Sequence, residues 1–273
     1  MTSVMFSRRQ LLWSSTGLWA AGMARAAESG LSDAAMEEFL LKGSVTKTRN
    51  TKMGITGSLR VTMKHGEREH DAHIQTIDES KAQFQGATGS ELNFRDTWKF
   101  NVAGYKLDRM LALNRTPVSV PRRHEGKEGA WTWWIDDVMM VEAERAKKKT
   151  PPPDKEAWNR QMQIVHVFDQ LIYNMDRNLQ NLVITNDWKV WMIDHTRAFR
   201  MHKQCKDPKV LRFCEKGFHD KLKTLNENDL SAQMNGVLTK AEIQGLLGRR
   251  DHILKVFDQQ IAQRGETTVL YTL

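Results

Sequence analysis

Apolar residues at Val165, Phe168, Leu171 and Ile172 recur at helical spacing and run into Asp176. The period predicts a helix that delivers this carboxylate at its end or just beyond. Trp158 and Met162 extend the stripe backwards to Asp154, which reads as the N-cap. Asn181 follows where a short loop would return toward the helix. Residues 182–185 and 189–193 read as two strands with Asn186 and Asp187 as the turn. Asp194 sits at the end of the second strand, so the hairpin brings it back beside Asn181.

The first half of the chain has the other period. Residues 44–51, 59–64 and 72–77 read as a β-meander, with His65-Gly66 turning between the last two. Gly54 and Gly57 fall between the first two strands, where glycine lets backbone amides approach a ligand closely; a plain hairpin turn is the other reading. Residues 94–113 read as a helix, with Phe94, Trp98, Val102 and Tyr105 at its spacing. A strand over 118–121, a turn at 125–129 and a strand over 130–135 follow, then the apolar Val138-Met139-Met140. Residues 147–153 combine three lysines with three prolines and read as the solvated loop where one lobe ends. Beyond residue 205 the pattern is helical over 211–218 and 222–225. Asn226 to Asp229 form a cap, and Thr239 to Glu242 open a helix through Leu247. Residues 249–261 continue it, and 264–273 read as a loose tail. The chain is therefore α+β, with a sheet lobe over 27–140 and a helical lobe over 141–273.

The first 26 residues read as an address rather than as structure. Arg8 and Arg9 precede a moderately apolar run, and Ala24-Arg25-Ala26 supplies small residues for cleavage. This resembles a twin-arginine export signal, which places the mature chain across a bacterial inner membrane, in the periplasm. An ordinary secretory signal is the alternative. The run is short and broken by Ser14, Ser15 and Gly17, and no later segment is apolar enough to span a membrane. The segment carries three arginines and no acid, so its removal lowers the net charge from +8 to +5. That basicity is scattered, and its one run abuts prolines, so it is no nucleic-acid footprint. Cys205 and Cys214 have no histidine at a common zinc spacing. In an exported chain they suit a disulfide or two free thiols equally.

Asp176, Asn181 and Asp194 form an ordered set. Phosphoryl transfer needs a carboxylate to orient and deprotonate an acceptor hydroxyl, and oxygen ligands to hold a divalent metal against phosphates. Asp176-Arg177-Asn178-Leu179-Gln180-Asn181, followed by a strand pair and Ile193-Asp194-His195, resembles the phosphatidylinositol 3-/4-kinase end of the protein-kinase-like superfamily. HipA-type kinases and secretory-pathway casein kinases have a similar arrangement. The resemblance implies a two-lobed protein-kinase-like fold. It implies a phosphotransferase that binds ATP or another nucleotide with Mg²⁺ or Mn²⁺ and acts on a hydroxyl of a lipid, protein or sugar. In that reading Asp176 is the base, Asn181 a metal ligand and Asp194 the principal metal ligand. Read without the resemblance, Asp176 caps a helix and the other residues flank a hairpin.

The same resemblance marks two departures. Related kinases place a phosphate-binding lysine on the third strand, and here Gln75 stands at that place. Lys81, just past the strand, is the nearest replacement if it is not a solvated turn residue. The acid that would pair with such a lysine falls at Asn101, with Glu91 and Asp96 nearby as substitutes. These departures favour an exported pseudokinase that serves as a nucleotide-binding or regulatory module, as does the scarcity of ATP outside the inner membrane. A third reading takes Trp131, Trp133 and Trp134 as a sugar-stacking strand of a glycan-binding protein.

Overall fold

The computed structural model describes residues 30–50, 58–86 and 89–273. Helix α1 (Asp33–Lys42) starts at Ser32, whose hydroxyl accepts from the Ala35 amide, and stops at Gly43. Strands β1 (Ser44–Asn50) and β2 (Ser58–His65) follow close to expectation, and β3 (Arg68–Gln75) starts four residues before the expected 72–77 and ends two residues short of it. With β6 (Ser119–His124) and β7 (Lys127–Trp133) they form an antiparallel sheet ordered β1-β2-β3-β7-β6. Alternation along β3 turns Ala72 and Ile74 to one face and Asp71, His73 and Gln75 to the other. The apolar face packs with Val61, Met63 and Trp131 against Phe39 and Leu40 of α1. Tyr105 of α2 (Lys99–Met110) closes the same cluster.

The expected helix over 94–113 is shorter than its apolar spacing suggests. Residues 78–97 instead form a separate hairpin, β4 (Asp78–Gly86) with β5 (Gly89–Thr97). Phe94 stacks on Phe84 across it, a cross-strand aromatic pair rather than part of a helix face. Helix α2 begins only at Lys99. Val138–Val141 (β8) also departs from expectation: it joins β9 (Leu182–Thr185) and β10 (Val190–Met192) in a second sheet, ordered β10-β9-β8.

The C-terminal lobe is built on α4 (Lys155–Ile172), which follows the short α3 (Glu142–Lys148). Helix α5 (Lys216–Thr224) and helix α6 (Glu227–Gln233), the latter capped by Asn226, pack against the long helix that follows them. Residues 240–247 and 249–261 belong to one helix, α7 (Lys240–Arg264), opened by a capping box between Thr239 and Glu242. Phe168, Leu171, Leu246, Ile253 and Phe257 are buried together in its core. The last ten residues are not loose. After α8 (Glu266–Val269), Leu270–Tyr271 (β12) pairs in parallel with Cys214–Glu215 (β11), and the Tyr271 hydroxyl donates to the Arg160 carbonyl at 2.5 Å. Cys205 and Cys214 are buried free thiols, so the disulfide alternative is not realised. No helix among the described residues is long and apolar enough to cross a membrane.

Candidate active site

The site is assembled at the C-terminal end of α4. Asp154 opens this helix by accepting from the Glu156 and Ala157 amides at 2.8 and 3.0 Å. The helix ends where Tyr173 takes a left-handed conformation, φ 52°. Asn174 is held from inside: its backbone N–H and side-chain amide donate to the carbonyl and carboxylate of Asp169, at 2.9 and 3.1 Å. Its own Oδ1 accepts the Asp176 N–H at 3.0 Å, which turns the chain outward and leaves Asp176 exposed. Asn178 then caps the 3₁₀ turn over 179–181 that delivers Asn181, which is buried.

Arg177 ties these pieces together. Its guanidinium holds the Asp169 carboxylate through Nε at 2.9 Å and Nη2 at 3.1 Å. Its Nη1 donates to the Asn181 carbonyl at 3.0 Å and to the Ile193 carbonyl at 2.8 Å. The Ile193 N–H donates to the Asn181 carbonyl at 3.0 Å, and the Asn181 side-chain amide reaches the Asp176 carbonyl at 3.4 Å. Asp176, Asn181 and Asp194 are therefore brought together by one cation and the main-chain carbonyls it gathers.

Asp194 is exposed and has φ 55°, an uncommon backbone region for a residue with a side chain. The Thr196 hydroxyl donates to its Oδ1 at 3.1 Å. The His195 N–H donates to Asn101 Oδ1 at 2.7 Å, and the Thr97 N–H donates to the Thr196 carbonyl at 3.0 Å. Asp96 lies beside these groups. Burial, reinforced by the negative charge of Asp194, pushes its carboxyl above the usual range, and the Thr196 hydroxyl opposes the shift. His195 is buried edge-on against Phe168 at 5.9 Å, and burial pushes its imidazole well below its ordinary pKa, so the ring is neutral.

The sheet lobe supplies less than expected. Gly54 and Gly57 lie outside the described residues. Gln75 is a buried, neutral member of the polar face of β3. His73 is on that face too, and although burial lowers its pKa, it feels the charge of Asp194. Lys81 is not at a turn past β3. It is exposed on β4, pairs with Glu79 at 2.8 Å, and lies near the Phe84 and Phe94 rings. Glu91 has moved to a different partnership, with Arg197 at 2.8 Å and Arg200 at 2.5 Å. Trp131 is in the core, His70 stacks on Trp133 at 3.7 Å and Arg60 covers Trp134 at 4.0 Å, so the three tryptophans form no open stacking strand. A cavity of about 640 Å³ lies between Met36, Trp133, Asp137 and Trp191, and neither Asp176, Asn181 nor Asp194 lines it.

Compared by sequence, no family model matches the chain and no curated protein is significantly similar to it. Comparison of structures is decisive. A hydra Fam20 structure with sugar superposes with a TM-score of 0.68 at 13% identity, covering 90% of this chain and 93% of that one. A Golgi casein kinase gives 0.58 at 14% identity, covering 87% and 77%. The fold is that of an atypical protein kinase. The two lobes of this kinase-like chain thus match the expected architecture, at identities that speak to fold alone.

Two arginines have roles that their sequence pattern does not reveal. Arg177 stands inside the Asp176–Asn181 motif, yet only its three-way bonding shows that it holds the motif together. Arg249, wholly buried in α7, donates to the carbonyls of Leu171 and Arg200 at 2.7 and 2.6 Å and to that of His202. Burial lowers its pKa to about 10. An arginine at a core position of a helical stripe is the one available hint, since such a charge is rarely buried without hydrogen-bond acceptors, here three main-chain carbonyls for Nε and Nη1.

Proposed function

We propose that this chain is a metal-dependent phosphotransferase, moving the γ-phosphoryl group of ATP or another nucleotide onto a hydroxyl. One observation carries the reading. Arg177 draws the loop bearing Asp176 and Asn181 against the strand end bearing Asp194, while Asp176 and Asp194 stay open to solvent. A set of residues that merely capped a helix and flanked a hairpin would need no such common anchor. Asp176 takes the proton from the acceptor hydroxyl as its oxygen bonds to the γ-phosphorus and the bond to the departing nucleoside diphosphate breaks.

Asn181 and Asp194 offer an amide oxygen and a carboxylate, which suit Mg²⁺ or Mn²⁺. The Asn181 nitrogen faces the Asp176 carbonyl, so its oxygen is the atom left for an ion. Among the described residues no cluster of three or more histidine, cysteine or acidic side chains is gathered. That fits an ion completed by substrate phosphates and water rather than caged by protein. The bound metal would neutralise charge developing on the transferred group. Export to the periplasm and cleavage after Ala26 belong to the same proposal, as does a division into a 27–140 sheet lobe and a 141–273 helical lobe.

A second reading, a pseudokinase acting as a nucleotide-binding or regulatory module, is favoured by β3, where neutral Gln75 stands and Lys81 pairs elsewhere. Thermal shift of the purified protein with ATP, GTP and ADP, with and without Mn²⁺ or Mg²⁺, separates the readings. Stabilisation that needs metal and disappears in Asp194→Ala supports the enzyme, because only ligand bound to the native state raises the transition. Stabilisation without metal supports the module, and none with any nucleotide refutes the enzyme and any nucleotide-binding module. Phosphate transfer by the wild type, lost in Asp176→Ala, then completes the case. Because the hydra Fam20 structure was solved with sugar, sugar hydroxyls are the first acceptors to test, before proteins and lipids.

A further inference from the structure

We infer that Asn101 is a positioning residue that sets Asp194 from the sheet lobe, through a neutral hydrogen bond to the main chain rather than through an ion pair. The inference rests on the proposed phosphotransferase reading and specifies how its metal-binding carboxylate is held. Asn101 lies in the first turns of α2 and is buried, and its Oδ1 accepts the His195 N–H at 2.7 Å. This N–H belongs to the peptide that follows the Asp194 backbone at φ 55°. A left-handed conformation outside glycine persists where neighbouring contacts determine it. Here those contacts come from both sides. The Ile193 N–H is held by the Asn181 carbonyl on the near side, and Asn101 fixes the far side, with Thr97 bonding the Thr196 carbonyl one residue later.

Two further features show that α2 is fitted to this peptide. Gly104, one turn beyond Asn101, faces the His195 ring so closely that a Cβ there would meet it at 3.1 Å. Glu91, on the strand leading into α2, holds Arg197 and Arg200 just beyond. The continuous stretch 91–104 thereby clamps residues 195–200. An acid at position 101 would bring another negative charge close to Asp194, and neighbouring like charges disfavour one another. An amide provides the same acceptor without that charge.

The test uses the full chain, with Asn101→Leu to remove the acceptor at similar volume and Asn101→Asp to keep it. Hydrogen exchange at the His195 amide reads the bond itself: protection falls in Asn101→Leu and survives in Asn101→Asp. Titration of Mn²⁺ against the ATP-dependent thermal shift reads its consequence. Removing groups that orient a metal ligand commonly weakens metal affinity about 10–100-fold. The half-saturating Mn²⁺ concentration is expected to rise by about tenfold or more in Asn101→Leu and to recover most of that loss in Asn101→Asp. Metal-free nucleotide binding, where present, is expected not to change. Unchanged Mn²⁺ dependence in Asn101→Leu, or equal loss in both variants, overturns the inference while leaving the phosphotransferase reading intact. A wild type with no metal-dependent shift removes that reading, and this inference with it, even where the exchange result shows the hydrogen bond.

Discussion

Arg177→Met is the most informative single perturbation of this molecule, because it tests stability and site assembly at once. The side chains of Arg177 and Asp169 are 12% and 11% exposed, so the pair is largely removed from water without being sealed. Methionine keeps much of the aliphatic volume and removes every donor. Asp169 then keeps only Asn174 at 3.1 Å, and the Asn181 and Ile193 carbonyls each lose a charge-assisted bond. Breaking one side of a buried pair costs about 3–5 kcal/mol, most of it from stranding the remaining charge. At about 2–4 °C per kcal/mol for a chain of this size, the transition should fall by roughly 10 °C.

The assay is thermal unfolding of wild type, Arg177→Met, Asp169→Asn and the double variant, each with and without ATP and Mn²⁺. The double variant should be less destabilised than the two single changes predict by about 1–3 kcal/mol, because the second change neutralises the stranded charge. Arg177→Lys should not rescue, since one ammonium cannot hold a carboxylate side-on and reach two carbonyls. All variants should lose the metal-dependent nucleotide shift even at temperatures where they remain folded. An Arg177→Met transition within 2 °C of wild type, or strict additivity with Asp169→Asn, would refute the claim that this guanidinium organises the site.

The other expectations can be checked with simpler measurements. Cys205 and Cys214 should resist alkylation in the native protein and react only in denaturant, with no mass change on reduction, since burial pushes the Cys205 thiol up to about 11 and the Cys214 thiol higher still; one disulfide found by mass spectrometry would contradict this. His219 is buried against Phe257, and its imidazole is depressed by burial and then by Lys223. Its unfolded form therefore binds protons first as pH falls below about 6.5, so its contribution is whole above that value and is lost toward and through the lowered folded pKa. His219→Phe should accordingly flatten the decline in transition temperature between pH 7 and 5; an unchanged decline would show that other groups dominate. Truncation after Arg264 should lower the transition by several degrees, because it removes the buried Val269 and Leu270 and the β11–β12 pairing; an unaltered transition would show that this segment is dispensable.

The parts of this molecule that were legible in the sequence are those where local pattern and tertiary role agree. The stripe of α4, its Asp154 cap and the strand pair before Asp194 each declare themselves within a few residues, and the structure places them as that pattern predicts. The β4–β5 hairpin did not, because Phe94 and Trp98 stand four apart and mimic a helix, while the pairing of Phe94 with Phe84 spans a turn that periodicity does not see. The placement of Lys81 and Glu91 escapes the pattern for the same reason: both sit on the hairpin rather than beside β3 or α2, and there Lys81 pairs within its strand and Glu91 reaches Arg197. Arg177 and Arg249 show a different limit. Their types and positions are visible, but what they do depends on carbonyls up to 78 residues away in the chain, and no spacing rule encodes which peptide a guanidinium will find. Asn101 combines both cases. Measured against an expected acid it reads as a loss, yet the structure shows its oxygen on the His195 amide, where a neutral acceptor serves and a second carboxylate beside Asp194 would be penalised. A departure from a family pattern is thus evidence of changed chemistry only after the new contact has been identified, and here that contact preserves the link between α2 and the strand end that presents Asp194.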